Sequence, residues 1–190
     1  MPQSLPLDKK DKIIISMYSM NRDISQEEIA REVGLSQPSV AVRIRKLKEG
    51  GAIDSLIGIN PFKMGMYIAK VDVVSTNPSE LLDMIKGCPY FAHGFTVSGR
   101  HNLCLIFISE DIARLESMVN CHIRHHDSVS DVDFNIIISS ENPFILPIQM
   151  VRHSLSEPPC SADATCGQCT YFLQKKCGGC PMLESVELSL

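Results

Sequence analysis

Residues 24–50, ISQEEIAREVGLSQPSVAVRIRKLKEG, constrain the chain more than any other stretch. Ser25 followed by Glu28 has the form of a capping box, so a helix is expected to start there and to carry Ile29, Ala30 and Val33 inward. Gly34 ends it. Ser36 is the next N-cap, Pro38 is tolerated in the first turn, and Val40, Ile44 and Leu47 mark the inward stripe of a second helix. The other face of that helix is expected to hold Arg43, Arg45, Lys46 and Lys48. Two helices, a short glycine turn and a cationic second helix make a helix-turn-helix, whose second helix offers early residues to base edges and cations to phosphates. A charge run alone is usually a solvated face; here caps, turn and stripe coincide with it. Ser36, Gln37 and Ser39 are short polar residues suited to direct readout at the exposed helix start. The candidate contacts to double-stranded DNA are Ser25, Ser36, Gln37, Ser39, Arg43, Arg45 and Lys46.

The chain has 190 residues, 44% of them hydrophobic, which leaves room for two small domains and a tail. Its net charge of -4 is uneven: residues 1–50 hold nine Lys/Arg against seven Asp/Glu, and the remainder nine against fifteen. The basic excess therefore accompanies the expected DNA reader. No apolar run has the length of a membrane span, and Met1 to Lys12 is too charged for a signal peptide, so a cytoplasmic protein without membrane contact is expected. In that compartment eight cysteines argue for metal ligands or redox thiols rather than a disulfide framework. Residues 7–20 supply a third helix, with Leu7, Ile14, Met17 and Tyr18 inward and Asp8 and Asp11 in its first turn. After Gly50 and Gly51 the run AIDSLIGIN is short and β-prone, and INPFKMG turns the chain into a new unit.

The segments LDKKDKIII, NRDISQEEIAREVGLSQPSVAVRIRKLKEGGAI and NPFKMG together resemble the start of an Lrp/AsnC (leucine-responsive, feast/famine) transcription regulator. The resemblance covers about residues 7–140 and is most specific over GLSQPSVAVRIRKLKEGGAI. It implies a second domain built as a βαββαβ sandwich that dimerises and binds small effectors between subunits. The residues read the same way independently. YIAKVDVVS is an alternating strand, PSELLDMIKG a short amphipathic helix, GFTVSG and HNLCLIFIS two strands about a turn, DIARLESMVNCHI a helix and VDFNIIISS a last strand. The expected class is α+β, with both helices on one face of a four-stranded antiparallel sheet. Its uncovered edge and face call for a homodimer or a larger even-numbered assembly. The expected organisation is 1–58 for the DNA-binding domain, 59–141 for the sandwich, 142–159 for a linker and 160–190 for a cysteine-rich tail.

Gly99, Arg100, His101 and Asn102 form the turn between the second and third strands, where similar proteins carry a glycine, then an acidic residue, and bind amino-acid effectors. Here Asn102 replaces the acid, so an effector's ammonium group would lack that carboxylate. An ordinary polar hairpin turn is the competing reading. In CHIRHHD, the residues Cys121, His122, His125 and His126 have helical spacing for a metal, but histidines are also favoured at a helix C-terminus by the dipole, which is the stronger reading. Cys88 and Cys104 are expected to be small core residues.

The tail carries Cys166, Cys169, Cys177 and Cys180 as C-x2-C-x7-C-x2-C, with Cys160 as a fifth thiol upstream. Two such pairs separated by a short hinge can converge four thiolates on one centre. Zinc is the commonest occupant of paired knuckles. Pro181 after the last cysteine, the spare thiol and a position after an effector domain favour an iron–sulfur cluster, [4Fe-4S], over Zn2+. The expected function is a sequence-specific DNA-binding regulator, not an enzyme, modulated by that centre through redox state or metal supply. Two alternatives remain. Siroheme decarboxylases resemble the same family but carry a His/Arg-rich opening strand where this chain has INPFKMGMYIAKVDVV; the other is an effector-responsive regulator with a purely structural zinc tail.

Overall fold

Seven apolar residues too large to leave in water, Ile14, Ile29, Ala30, Val33, Val40, Ile44 and Leu47, close the first core. The structure is a computed structural model that describes residues 5–54, 58–147 and 170–176. It divides into two compact units, Met1–Leu56 and Ile57–Leu190. In the first, α1 (Lys9–Met20), α2 (Gln26–Val33) and α3 (Gln37–Glu49) surround that core. Asp8 caps α1 and exchanges hydrogen bonds with Asp11, Ser25 and Glu28 do the same for α2, and Gly34 ends α2 at φ 62°, a left-handed conformation that suits glycine. The β-prone run after Gly51 forms no strand among the described residues. Its one described pairing, Ile59 with Leu146, belongs to the second unit.

In the second unit, β1 (Tyr67–Ser75), α4 (Pro78–Ile85), β2 (Phe91–Thr96), β3 (Leu103–Ser109), α5 (Ile112–Met118) and β4 (Val129–Ile136) follow the expected βαββαβ order. The sheet is antiparallel in the order β2-β3-β1-β4. Alternation puts Ala69, Val71 and Val73 of β1 on one face with Leu103, Leu105 and Phe107 of β3, where Leu81, Ile85, Leu115 and Ile123 from the helical side cover them. The opposite face is apolar at one end, where Ile68, Ile106 and Ile108 meet Phe62, Phe144 and Leu146. Elsewhere it is polar. Asp72 is in register with Cys104 and with Asp133, and the Lys70 amine contacts the Asp72 carboxylate. Cys104 is therefore half-buried beside charge rather than in the apolar core; burial raises its thiol pKa, and Asp72 adds to the rise. Cys88 does lie in the core.

Three elements differ from their sequence expectation: β2 spans Phe91–Thr96 and not GFTVSG, so it begins three residues earlier and ends before the turn, and the other two lie after Asp111. The helix after Asp111 stops being α at Met118 and continues as a π-helical segment, Val119–Arg124. Leu115, Val119 and Ile123 stay together on the inward side through the change of helix type. The last strand runs from Val129 to Ile136, not to the end of the isoleucine run, because Thr76 and Ser75 recruit Ser128 and Val129. Ile138 is left 85% exposed.

The expected linker begins by packing on the sheet, since Phe144 and Leu146 close the second face. Gly58 makes that return possible, as a Cβ there would lie 2.2 Å from the Leu146 carbonyl oxygen. Backbone cannot yield as a side-chain tip can. Gly58→Ala is expected to break the Ile59–Leu146 pairing and to destabilise the second unit by about 1–3 kcal/mol, read from denaturant unfolding.

Candidate nucleic-acid interface

The way α3 is buried decides what it offers to a partner. Val40, Ile44 and Leu47 face the core, so helical spacing turns Ser39, Val42, Arg45 and Lys46 outward, and all four are exposed. Gln37 and Ser36 are exposed at the helix start, and the Ser36 and Ser39 hydroxyls share a hydrogen bond of 2.9 Å. Ser36 makes no side-chain cap, leaving the first amides of α3 without that partner. A helix start with uncommitted amides, short hydroxyls and cations one turn on can contact phosphates and base edges together.

Two of the expected contact residues have internal work. The hydroxyl of Ser25 accepts from the Glu28 backbone N–H at 3.1 Å and donates to the Glu28 carboxylate at 2.9 Å, so it caps α2. Arg43 lies beside the apolar stripe and not opposite it. Its Nη1 donates to Asp8 Oδ2 and to Asp11 Oδ1, both at 2.7 Å, and so clamps α3 to the start of α1. The pairing raises the Arg43 pKa, chiefly through Asp11 and then Asp8. Arg43 is therefore held within the domain by two carboxylates, which the sequence reading of it as a DNA contact did not include. Position along the wheel contains this signal, because Arg43 is one step from Ile44 and follows Val40 by three. Val42 was not among the sequence candidates. It is 42% exposed on the outward face, where its methyl groups can meet a thymine methyl.

The turn after β2 is also tied to its own fold. Gly99 has φ 145°, which favours glycine. Arg100 Nη2 donates to Asp131 Oδ2 at 2.9 Å, and His101 Nε2 stands 3.6 Å from Asp131 and 3.4 Å from Asp133. Asn102 uses both ends of its amide on one residue: Oδ1 accepts from the Ser75 N–H at 2.9 Å and Nδ2 donates to the Ser75 carbonyl at 2.6 Å. The Asn102 side chain thus fastens the start of β3 to the end of β1. The histidines after α5 do not converge: among the described residues no group of three or more His, Cys, Asp or Glu side chains is arranged to hold a metal ion. His126 Nδ1 contacts Ser128 Oγ at 2.9 Å, and burial lowers the His122 pKa. Cys160, Cys166, Cys169, Cys177 and Cys180 lie outside the described residues.

The three-helix unit with a cationic second helix, followed by a βαββαβ sandwich on the same chain, is the architecture of a helix-turn-helix regulator. A family profile described as "Winged helix-turn-helix DNA-binding" matches residues 7–54. The chain is 29% identical over 136 residues to the HTH-type transcriptional regulator LrpA of Pyrococcus horikoshii, covering 70% of this chain and 96% of that protein. It is 23% identical over 142 residues to the transcriptional regulator AzlB of Bacillus subtilis, covering 71% and 90%. Among solved structures, E. coli AsnC superposes with a TM-score of 0.61 at 18% identity, covering 73% of this chain and 96% of AsnC. Over its helix-turn-helix and sandwich the chain is thus similar to HTH-type transcriptional regulators of the Lrp/AsnC kind.

The clamp and the outward face predict different outcomes. Lys46→Ala should weaken binding to all duplexes and reduce the salt slope by about one, whereas Arg43→Ala should lower the melting temperature of the helical unit and leave base preference unchanged. Mobility shifts over a salt series, alongside thermal melts, separate the two. Acid should act on the same clamp. Backbone hydrogen bonds from Asp11 and Ser25 respectively, with Arg43 adding to the first, hold the Asp8 and Glu28 carboxyls below their ordinary values of 3.8 and 4.5. Carboxyls depressed in the fold give stability that is present above those values and is lost as pH falls through the lower folded values. Circular dichroism melts from pH 6 to below 3 should therefore show the helical unit weakening below about pH 4, and Asp8→Asn should flatten that dependence.

Proposed function

We propose that the protein binds a specific DNA sequence as a homodimer, or a larger even-numbered oligomer, and that a metal centre in its cysteine tail adjusts that binding. The observation that carries the DNA reading is the outward face of α3, where Ser36, Gln37, Ser39, Val42, Arg45 and Lys46 are all exposed while Arg43 fixes the helix from behind. Two copies related by a two-fold axis would set such helices on two half-sites of a duplex. The sheet supports self-association as well. Its polar second face carries Lys70, Asp72, Cys104 and Asp133, and exposed Phe95 stands in register with Cys104, so a second copy has both charge and apolar area to cover. The 99–102 turn would take a small effector through Arg100, whose side chain is largely exposed although it pairs with Asp131, while Asn102 is committed to Ser75. A cytoplasmic site of action follows from this role; among the described residues no helix is long and apolar enough to cross a membrane.

The metal reading rests on the two cysteine pairs and on the chain between them. Cys166, Cys169, Cys177 and Cys180 would hold the metal as thiolates, an iron–sulfur cluster supplying one-electron redox change and zinc a structural closure. The intervening residues fit that use. Thr170–Leu173 is one helical turn, closed by Lys175 N–H to Phe172 O and Lys176 N–H to Tyr171 O, each 2.9 Å, with Lys175 at φ 58°. This is a Schellman closure, and a single turn advances only about 6 Å where seven extended residues would span about 23 Å. A compact hinge keeps the flanking pairs within reach of each other. Cys160, behind Pro158 and Pro159, is the exchangeable fifth thiol.

Anaerobic purification with metal analysis and a visible spectrum tests the centre: a cluster gives brown protein with iron and sulfide, zinc a colourless protein. Cys177→Ser is expected to lose the metal and keep the oligomer. Affinity for a selected duplex should differ between loaded and Cys177→Ser protein by roughly 5- to 150-fold. Equal affinities at one salt concentration would reduce the tail to a structural element.

A further inference from the structure

The hinge between the cysteine pairs does more than turn. Residues 170–176 are docked on the helical side of the sandwich through two hydrogen bonds, Asn120 Nδ2 to Tyr171 OH at 3.1 Å and Ser117 Oγ to Lys176 O at 3.4 Å. Ser117 is only 3% exposed on α5, and Asn120 is the second residue of the π-helical segment. Between hinge and helix lies an open hollow of about 490 Å³ bordered by Asp111, Arg114 and Glu116 on one side and by Tyr171, Lys175 and Lys176 on the other. Arg114 Nε is buried there without a hydrogen bond and stands 3.6 Å from Asp111. The contact is thus polar and loosely filled.

Such a contact cannot hold seven residues alone. Two hydrogen bonds contribute little beside the entropy lost in ordering the segment, and Lys175 occupies a left-handed conformation that a side chain disfavours. What can supply the remainder is closure of the chain at both ends. Cys169 directly precedes Thr170 and Cys177 directly follows Lys176, so one centre binding both pairs would fix both ends of the hinge and remove most of its freedom.

We propose that the surface formed by α5 and the π-helical segment is the docking site of the 170–176 hinge, occupied when the flanking thiolates share a metal and vacated when they do not. The inference rests on the metal reading above and names where the metal state is delivered: to the sandwich, at Ser117 and Asn120. The receiving element suits the task. A π-turn has an α-helical alternative that differs by one residue of register, so a contact that favours one arrangement re-aims every side chain from Asn120 to Arg124.

Hydrogen exchange with mass spectrometry on the full-length protein tests this, with metal content measured on the same samples. In the loaded parent, amides of residues 112–124 should exchange several-fold more slowly than after chelator stripping. Tyr171→Ala and Asn120→Ala, which leave all the cysteines in place, should bind metal at the parental ratio yet exchange at the stripped rate. Metal at full ratio with equal exchange before and after stripping would overturn the docking inference while leaving the metal reading intact. A parent that binds no metal at all would overturn both.

Discussion

Helices α1 and α3 of the first unit are joined by one partly exposed ion cluster. Arg43 reaches back from α3 to Asp8 and Asp11 at the start of α1, and this sets the roll of the recognition helix about its own axis. The apolar stripe of Val40, Ile44 and Leu47 already prefers one face, but an apolar stripe is broad and tolerates rotation. A guanidinium with two carboxylates at fixed positions does not. With the helix rolled so, Arg45 and Lys46 are exposed while Arg43 is engaged by the two carboxylates. Asp8 has a second part in it, since the carboxylate that receives Arg43 also caps α1.

The second unit is governed by a different constraint, the burial of β1 between β3 and β4. One face of β1 is closed by helices and the other is left mostly polar, so the sheet is finished on one side only. The loops at its ends are then fastened by side chains. Asn102 secures the hairpin to Ser75, and Arg100 and His101 reach Asp131 and Asp133 of β4. On the helical side, the π-helical segment both feeds β4 and receives the tail hinge.

Much of this was legible in the sequence, and for identifiable reasons. The three helices were announced by local chemistry: Ser25 with Glu28, Gly34, and apolar spacings of three and four. The strand YIAKVDVVS was legible to the residue because alternation and β-branching agree with its burial pattern. What the sequence did not show are the partners distant along the chain: Asp8 lies 35 residues from Arg43, and Ser75 lies 27 residues from Asn102. Residue type placed Arg43 among the DNA contacts and the family resemblance placed Asn102 among the effector contacts, and neither signal contains those internal bonds. The final strand was misread for a simpler reason, since Ile136 to Ile138 look alike in sequence while only the first two stay with the sheet.

Hydrogen exchange of the full-length protein, with and without a duplex obtained by binding-site selection, tests directly whether DNA is met by the outward face of α3. Slowed exchange is expected across the turn before α3 and the first half of that helix, residues 35–43, with α1 unchanged. Protection confined to the sandwich strands, with α3 exchanging as in free protein, would contradict it.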